Sequence, residues 1–258
     1  MPTQYDVNRI LNQTLVRRVE YHAELASTSD FALHELQRGA NKLPLLVLAE
    51  RQTMGRGRTD RSWWASEGAL TFSLVQRVAP RDLPPLRRPL LGLASGLAVC
   101  DSLRERVPPS TVGLKWPNDV YVADRKICGI LIESPARAAD VVIVGIGVNV
   151  NNSLLEAPLP LRERATSVRD QTGSTSDLTG VLISVLQHLE RQWQLAIQQP
   201  ERIVQRYREF CLLTGRQVTL MAGTRRVRGR CTGIDDRGWL VLETDAGTER
   251  FISGSIEM

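Results

Sequence analysis

A chain of 258 residues with 42% hydrophobic and 24% charged residues is long enough for one large core, or for a main domain with a small appendage, and its composition excludes wholesale disorder. No run approaches the roughly 18 to 20 apolar residues of a membrane span, and the opening MPTQYDVNRI has neither a basic nor an apolar leader segment, so a cytoplasmic protein with no membrane partner is expected. The net charge of +5 suits an anionic partner, and four widely spaced cysteines (Cys100, Cys128, Cys211, Cys231) show neither a disulfide framework nor zinc-ligand spacing.

In chain order, the first 26 residues mix apolar and charged positions without strong caps. STSDFALHEL then opens on N-cap candidates and continues with Ala32, Leu33 and Leu36 at helical spacing, which predicts a helix of about three turns. LPLLVLAE reads as a buried strand leading into a loop, QTMGRGRTDRSWW. ALTFSLVQ is a second strand, with Leu70, Phe72 and Leu74 on one face and Ala69, Thr71 and Ser73 on the other. The proline-rich APRDLPPLRRP is a surface connection into LLGLASGLAVCDSLRERV, a helix with a stripe of apolar and small residues.

Three strand-like runs follow, VGLKW, KICGILIES and VVIVGIGVNV, the first two joined by PNDVYVADR, which carries turn chemistry. A central sheet with its helices on one face is expected. Two helical patterns fill about Asp177 to Leu212. After them RQVTLM, RRVRGRCTGI, GWLVLET and TERFISGSI alternate between hairpin signals, so a small β-barrel is expected from about residue 214 onward.

Two stretches carry chemistry. The loop around Arg56-Gly57-Arg58 combines backbone N–H groups freed by glycine, guanidinium groups that neutralise a phosphate or carboxylate, and the flat apolar surface of Trp63 and Trp64. Single-stranded nucleic acid would also fit such a loop. The second stretch is GLKWPNDVYVADRKICGILIE. Only three of the 33 basic residues are lysines, Lys42, Lys115 and Lys126, and two of them fall in this segment. A lysine is a compact ammonium that arginine's planar fork does not imitate, so those positions are expected to need one. A hairpin there brings Lys115, Lys126 and the Asp119 carboxylate to one end of the sheet, a set suited to a nucleoside triphosphate with Mg²⁺.

STS at 27–29, QTMGRGRTDRSW at 52–63, KWPND at 115–119, RKICGILIE at 125–133 and GIGVNV at 145–150 together resemble, in order and spacing, the biotin protein ligases. The resemblance spans about residues 24 to 258. It implies an α/β (α+β) fold: a class II aminoacyl-tRNA synthetase-like catalytic domain with a central mixed sheet over 1–212, followed by an SH3-like β-barrel over 213–258. It implies a ligase that joins biotin and ATP into biotinyl-5′-AMP with release of pyrophosphate, then biotinylates a lysine of a carrier such as the biotin carboxyl carrier protein of acetyl-CoA carboxylase. By the same resemblance, biotin contacts fall on Ser27, Thr28, Ser29, Gln52, the run Arg56-Gly57-Arg58 and Lys126, and Gly55 and Gly129 are further ligand-binding positions. The nucleotide side falls on Lys115, Asn118 and Asp119, with Asp119 as the Mg²⁺ carboxylate and Asn149 near the adenylate. Trp63 matches the tryptophan after the loop. Lys126, Arg58 and Lys115 are the expected catalytic cations, Ser27 and Thr28 would bond the ureido group, and Ile130 and Leu131 would pack near biotin's rings and chain.

The family loop usually has a third glycine where this chain has Asp60, which is expected to alter loop behaviour without abolishing activity. About 25 residues precede the Ser27 motif, too few for the DNA-binding domain of some relatives, so no nucleic-acid role is expected. A homodimer is plausible by resemblance alone. The rival readings are a lipoate ligase or octanoyl transferase, which lacks this GRGR and KWPND pairing, and a nonenzymatic nucleic-acid binder.

Overall fold

The computed structural model describes residues 4–58, 61–136 and 138–257. Its chain order runs α1 (Val7–Gln13), β1 (Arg18–Leu25), α2 (Thr28–Gln37), β2 (Leu45–Gln52), β3 (Leu70–Arg77), α3 (Pro89–Arg104), β4 (Val112–Lys115), β5 (Asp119–Val122), β6 (Arg125–Glu133) and β7 (Val141–Val148). It continues through α4 (Leu159–Arg164), α5 (Val168–Thr172), α6 (Leu178–Gln198) and α7 (Pro200–Phe210). Last come β8 (Gln217–Ala222), β9 (Arg225–Ile234), β10 (Leu240–Thr244), β11 (Gly247–Phe251) and β12 (Ser255–Glu257). Among the described residues no helix is long and apolar enough to cross a membrane.

The first seven strands form one mixed sheet in the order β1-β2-β3-β7-β6-β5-β4, with β1 parallel to β2 and the other neighbours antiparallel. Strand alternation sorts its two faces. Leu46, Leu48, Leu70, Phe72, Leu74, Val144 and Ile146 point into the main core beneath α3, α6 and α7. Leu45, Val47, Val75, Val141 and Ile143 point the other way and pack with Ala32 of α2. The expected placement of all helices on one face is therefore wrong. The two-sided burial of β2 and β3 follows from apolar residues at odd and even positions alike, which a single-faced sheet would not need.

α1 and β1 lie in the 26 residues where sequence signals were weak. Asp6 caps α1 by accepting from the Arg9 N–H at 2.9 Å, and β1 is an edge strand whose side chains are half-buried on both faces, so no alternation marks it. α2 begins as expected, with Ser27 as its N-cap. PNDVYVADR is more than a turn: it contains β5, and its Ala123-Asp124 pair, both at positive φ, closes a two-residue hairpin to β6.

The second sheet, β11-β10-β9-β8-β12, is wholly antiparallel. TERFISGSI, read as one segment, is two strands, because Gly254 at φ 158° breaks it between β11 and β12. The second sheet is fastened to the first unit by specific bonds. The Trp116 indole N–H donates to the Gly238 carbonyl at 3.1 Å, and Arg208 donates to the Ile234 carbonyl at 3.0 Å while pairing with Asp236 at 2.8 Å.

Candidate active site

The face of the sheet that carries α2 is apolar only over part of its width. Beyond α2, β7 places Gly145 and Gly147 there, and β6 places Gly129 and Leu131 opposite them, since Gly129 pairs with Gly147 and Leu131 with Gly145. Missing side chains leave a cavity of about 150 Å³ above these strands. Both β7 glycines are filled by close neighbours: a Cβ on Gly145 would stand 2.6 Å from the Ser29 hydroxyl, and one on Gly147 would stand 2.4 Å from the Trp63 indole.

One end of the cavity is a hydroxyl network. Ser29 Oγ and Ser73 Oγ are 3.0 Å apart, Ser73 Oγ donates to Thr28 Oγ1 at 2.9 Å, and Gln52 Oε1 accepts from the Thr28 N–H at 2.7 Å and from its hydroxyl at 3.1 Å. Ser27, Thr28 and Ser29 are all buried, held there by the first turn of α2.

The other end is cationic. Register places Lys115 opposite Asp119, and Asp119 opposite Gly129, so these three stand in one row across β4, β5 and β6. Plain alternation would put Lys126, three residues from Gly129, on the opposite face. A β-bulge prevents this: the β5–β6 register shifts between Val120 and Tyr121, so that Val120 faces Cys128 while Tyr121 faces Lys126, and the extra residue turns Lys126 onto the face of Asp119. Lys126 Nζ then lies 2.7 Å from Asp119 Oδ1 and 6.0 Å from the Trp63 ring. The Lys115 ammonium stands 5.7 Å from the Tyr121 ring centroid. Burial lowers the pKa of Lys115, an effect opposed by Asp119 and reinforced by Lys126, Arg61 and Arg164. Burial, then Asp119, pushes the Tyr121 phenol up to about 12.

The arginine loop closes over both ends. It is pinned as a narrow hairpin by Gly57 N–H to the Arg61 carbonyl (2.6 Å) and Trp63 N–H to the Gly55 carbonyl (2.8 Å). Its arginines divide the work. Arg58 points inward, 3.3 Å from Asn118 Oδ1, with its pKa lowered by burial against the pull of Asp119. Arg56 points away, paired at 2.9 Å with both Asp30 and Glu133. Arg61 donates to the Ser255 hydroxyl at 3.1 Å, so the second sheet supplies a wall, and Gly254 and Ile256 line the cavity beside it.

Of the residues expected at the site, Ser27, Thr28, Ser29, Gln52, Gly57, Arg58, Trp63, Lys115, Asn118, Asp119, Lys126 and Gly129 line this cavity. Arg56 lines it too, but its guanidinium is committed to carboxylates. Gly55 contributes a loop hydrogen bond and faces an outer groove instead. Asn149 is buried outside the cavity lining, donating to the Thr166 carbonyl at 3.0 Å and accepting from Asn152 at 3.1 Å, so its side chain braces the strand end. Leu131 shares the cavity face with Gly129, whereas the Ile130 side chain belongs to the main core and only its carbonyl, which accepts from Asn118, turns toward the site. Trp64 packs with Leu154, Ala157 and Leu161, away from Trp63. Asp60 lies outside the described residues. Ser73, Gly145, Gly147, Arg61 and Ser255 were not foreseen; the alternation of ALTFSLVQ and the two-residue spacing in GIG carried signals for three of them, and nothing local marks Ser255.

The cavity thus joins a hydroxyl-lined slot to a cationic end, and the comparisons place the fold that carries it among the ligases. Residues 22–151 match the biotin/lipoate A/B protein ligase family and residues 213–258 match the biotin protein ligase C-terminal domain. The chain belongs to the biotin/lipoate A/B protein ligase family. It is 34% identical over 244 residues to the bifunctional ligase/repressor BirA of Bacillus subtilis, covering 92% of this chain and 73% of that protein. It is also 34% identical over 247 residues to the biotin--[acetyl-CoA-carboxylase] ligase of Mycobacterium tuberculosis, covering 93% and 88%. The biotin protein ligase of Aquifex aeolicus, solved in complex with biotin and ATP, superposes with a TM-score of 0.79 at 30% identity, covering 93% of this chain and 98% of that one.

Proposed function

We propose that the chain is an ATP-dependent biotin protein ligase of two domains, 1–212 and 213–258, acting in the cytoplasm. The biotin carboxylate attacks the α-phosphorus of ATP, breaking the bond to pyrophosphate and giving biotinyl-5′-AMP. The amine of a carrier lysine then attacks the acyl carbon and releases AMP, the carrier being a biotin carboxyl carrier protein of acetyl-CoA carboxylase. The observation that carries this reading is the junction of a neutral hydroxyl slot with a cluster in which Lys115, Lys126 and Arg58 gather round Asp119, the one carboxylate among the described residues that line the cavity. Such a surplus of positive charge favours bound anions.

In this reading Ser27, Thr28, Ser29, Ser73 and Gln52 recognise the ureido ring, Leu131 and Trp63 enclose the apolar body, and Lys126 holds the carboxylate against the α-phosphate. Bringing those two anions within about 3–3.5 Å is the main task, and positioning supplies much of the rate. Lys115 and Arg58 hold the phosphates, and Asn118 fixes Arg58. Among the described residues no group of three or more metal-ligating side chains occurs. One carboxylate beside a phosphate site nevertheless fits Mg²⁺, which commonly takes one or two protein carboxylates and completes its shell with phosphates and water. Asp119 is the residue that would hold it, and the ion would neutralise phosphate charge. The arginine loop excludes water from an anhydride that water destroys. A homodimer, if formed through a sheet edge, would use β1, because the Leu114 carbonyl of β4 already accepts from the Leu212 N–H.

The test is mass spectrometry of the purified chain with biotin, ATP and Mg²⁺. Biotinyl-5′-AMP is expected, and its reversal by added pyrophosphate. Activation of octanoate or lipoate in place of biotin would overturn the substrate.

A further inference from the structure

The hydroxyl network has a direction, and that direction passes through a residue the cavity does not touch. Ser73 lies on β3 with no exposed surface and is not among the residues that line the cavity, whereas Ser27, Thr28, Ser29 and Gln52 all line it. The part Ser73 takes in recognition therefore runs through its neighbours.

The direction follows from counting protons. A backbone N–H can only donate, so the 2.7 Å bond from the Thr28 amide sets the oxygen of the Gln52 side chain, and not its nitrogen, on that side. The same oxygen can only accept, so at 3.1 Å the Thr28 hydroxyl directs its proton to Gln52. Thr28 Oγ1 is then the acceptor in its 2.9 Å contact with Ser73, and Ser73 donates. A hydroxyl carries one proton, so Ser73 accepts in its 3.0 Å contact with Ser29, and Ser29 donates. The relay runs one way, from Ser29 to Ser73 to Thr28 to Gln52. Gly145 makes room for its first step. It pairs with Ser73 across β3 and β7, and a Cβ there would stand 2.6 Å from Ser29 Oγ and 3.5 Å from Ser73 Oγ.

Three consequences reach the cavity. Ser29 Oγ has its proton turned toward β3, so it presents only lone pairs to a ligand. Gln52 presents only its Nε2 N–H groups, because its oxygen is held by two bonds from Thr28 and Nε2 has no acceptor among the described residues. Ser27 adds a second donor, since its Oγ accepts from the Asp30 N–H at 3.3 Å and keeps its own proton. Donors at Ser27 and Gln52 with an acceptor at Ser29 match a head group whose carbonyl is flanked by N–H, the pattern of a cyclic urea. A head group of that polarity leaves the relay intact, and one that sets an acceptor against Ser29 must break it.

We infer that Ser73 is the positioning residue that fixes the polarity of the slot: by taking the Ser29 proton it holds Ser29 as an obligate acceptor, and so selects a urea N–H at that point. The inference rests on the ligase reading above, which supplies biotin as the urea.

The test is a double-mutant cycle on the full chain, read by calorimetry of biotin binding without ATP, so that no catalytic step enters. Each variant removes one oxygen. Ser73→Ala should weaken biotin about three- to tenfold, the range of one hydrogen bond. In a Ser29→Ala background the same substitution should change biotin affinity by less than about twofold, because the hydroxyl it controls is gone. A merely structural role would weaken biotin equally in both backgrounds. Polarity is read separately with the two cyclic carbamate analogues of biotin, in which one or the other ring N–H is replaced by oxygen. The unaltered chain should discriminate against the poorer analogue, and Ser73→Ala should shrink that discrimination by about tenfold, since its Ser29 hydroxyl is free to turn its proton to the ring oxygen. An equal loss of biotin affinity in both backgrounds, a loss below about twofold in Ser73→Ala alone, or unchanged discrimination against the carbamates overturns the proposal. If the unaltered chain binds lipoate or octanoate and not biotin, the biotin ligase reading itself fails, and the urea with it.

Discussion

The two ends of the cavity solve recognition in opposite ways. At the hydroxyl end, Ser29, Ser73, Thr28 and Gln52 bond to one another, so their polar groups are satisfied within the protein and their geometry is fixed by that network. At the cationic end, Lys115, Lys126 and Arg58 stand round one carboxylate among the described residues, and burial works against the charge of Lys115 and Arg58. A satisfied network selects shape and hydrogen-bond pattern, because a ligand must replace bonds that exist. An uncompensated cluster binds any anion of the right size and gains most when negative charge grows. In the proposed ligase reading, the first end would select which acid enters and the second would set how fast it is activated.

The largest expected effect breaks the second end. Lys126→Ala should lower the rate of adenylate formation by about 10²–10³-fold, or ~3–4 kcal/mol, the loss usual for one preorganised donor at a centre of developing charge. Pyrophosphate exchange measures it, and biotin affinity by calorimetry shows how much of the loss is ground-state binding. Lys126→Arg should not restore the rate, because a planar fork cannot take the place of an ammonium 2.7 Å from Asp119 in a cleft roofed by Trp63. An alanine variant within tenfold of the parent would remove Lys126 from the chemistry.

The next effect falls on the floor that joins the two ends. Gly147→Val places a side chain where the Trp63 indole now lies, and the overpacking should cost about 1–3 kcal/mol in urea unfolding. In a Trp63→Ala background the same substitution should cost much less, since the obstruction is gone. Equal penalties in both backgrounds would mean that Trp63 does not rest on Gly147. At the hydroxyl end, Gly145→Ala crowds Ser29 and should weaken biotin binding severalfold while leaving ATP binding unchanged, which calorimetry with each ligand separates.

How much of this could be read from the sequence depends on whether local pattern or register carried the information. KWPND and RKICGILIE predicted that Lys115, Asp119 and Lys126 would gather, and they do, but by a route the pattern hid: the bulge at β6 is what turns Lys126 inward. The scarcity of lysine was the useful signal, since it depends on chemistry and not on backbone geometry. The opposite fates of Arg56 and Arg58 were illegible, because two residues of one type two positions apart differ only in what the fold sets beside them, Glu133 and Asp30 for one and Asn118 for the other. The hydrogen bonding of Asn149 was illegible for a related reason: its motif fixes its location near the strand end but not the direction of its amide. Ser255 reaches Arg61 across 194 positions, a contact that only the docking of the second sheet creates.

A smaller effect concerns acidity. Burial lowers the pKa of Lys115 below the ordinary lysine value of 10.5, so the ammonium proposed to hold the phosphates is lost at lower pH than in a free side chain. kcat/KM for ATP should fall on the alkaline side by up to about tenfold per pH unit, and the limb should shift upward in Lys115→Arg, which does not titrate there. Stability moves the other way. Between the folded value and 10.5 the unfolded chain binds more protons at this site than the folded chain, so the contribution of Lys115 makes the fold more stable as pH rises. Identical alkaline limbs in the parent and the arginine variant would assign the titration elsewhere.

The smallest effect tests whether the arginine loop is held from outside the cavity. Arg56 bridges Asp30 and Glu133, but all three side chains are partly exposed, 38%, 52% and 31%, so the pairs are screened and their removal should cost no more than about 1 kcal/mol of global stability. Their effect should be local. In Arg56→Ala the amides of Gly57 and Trp63, which close the loop on Arg61 and Gly55, should exchange hydrogen severalfold faster, while amides of β7 keep their protection. Glu133→Gln should produce a weaker version of the same change, since Asp30 still holds the guanidinium. If the loop amides exchange at the parent rate in both variants, the loop is closed by Trp63 against Gly147 and by Arg61 on Ser255, and the two cavity ends would then share a lid fastened from within.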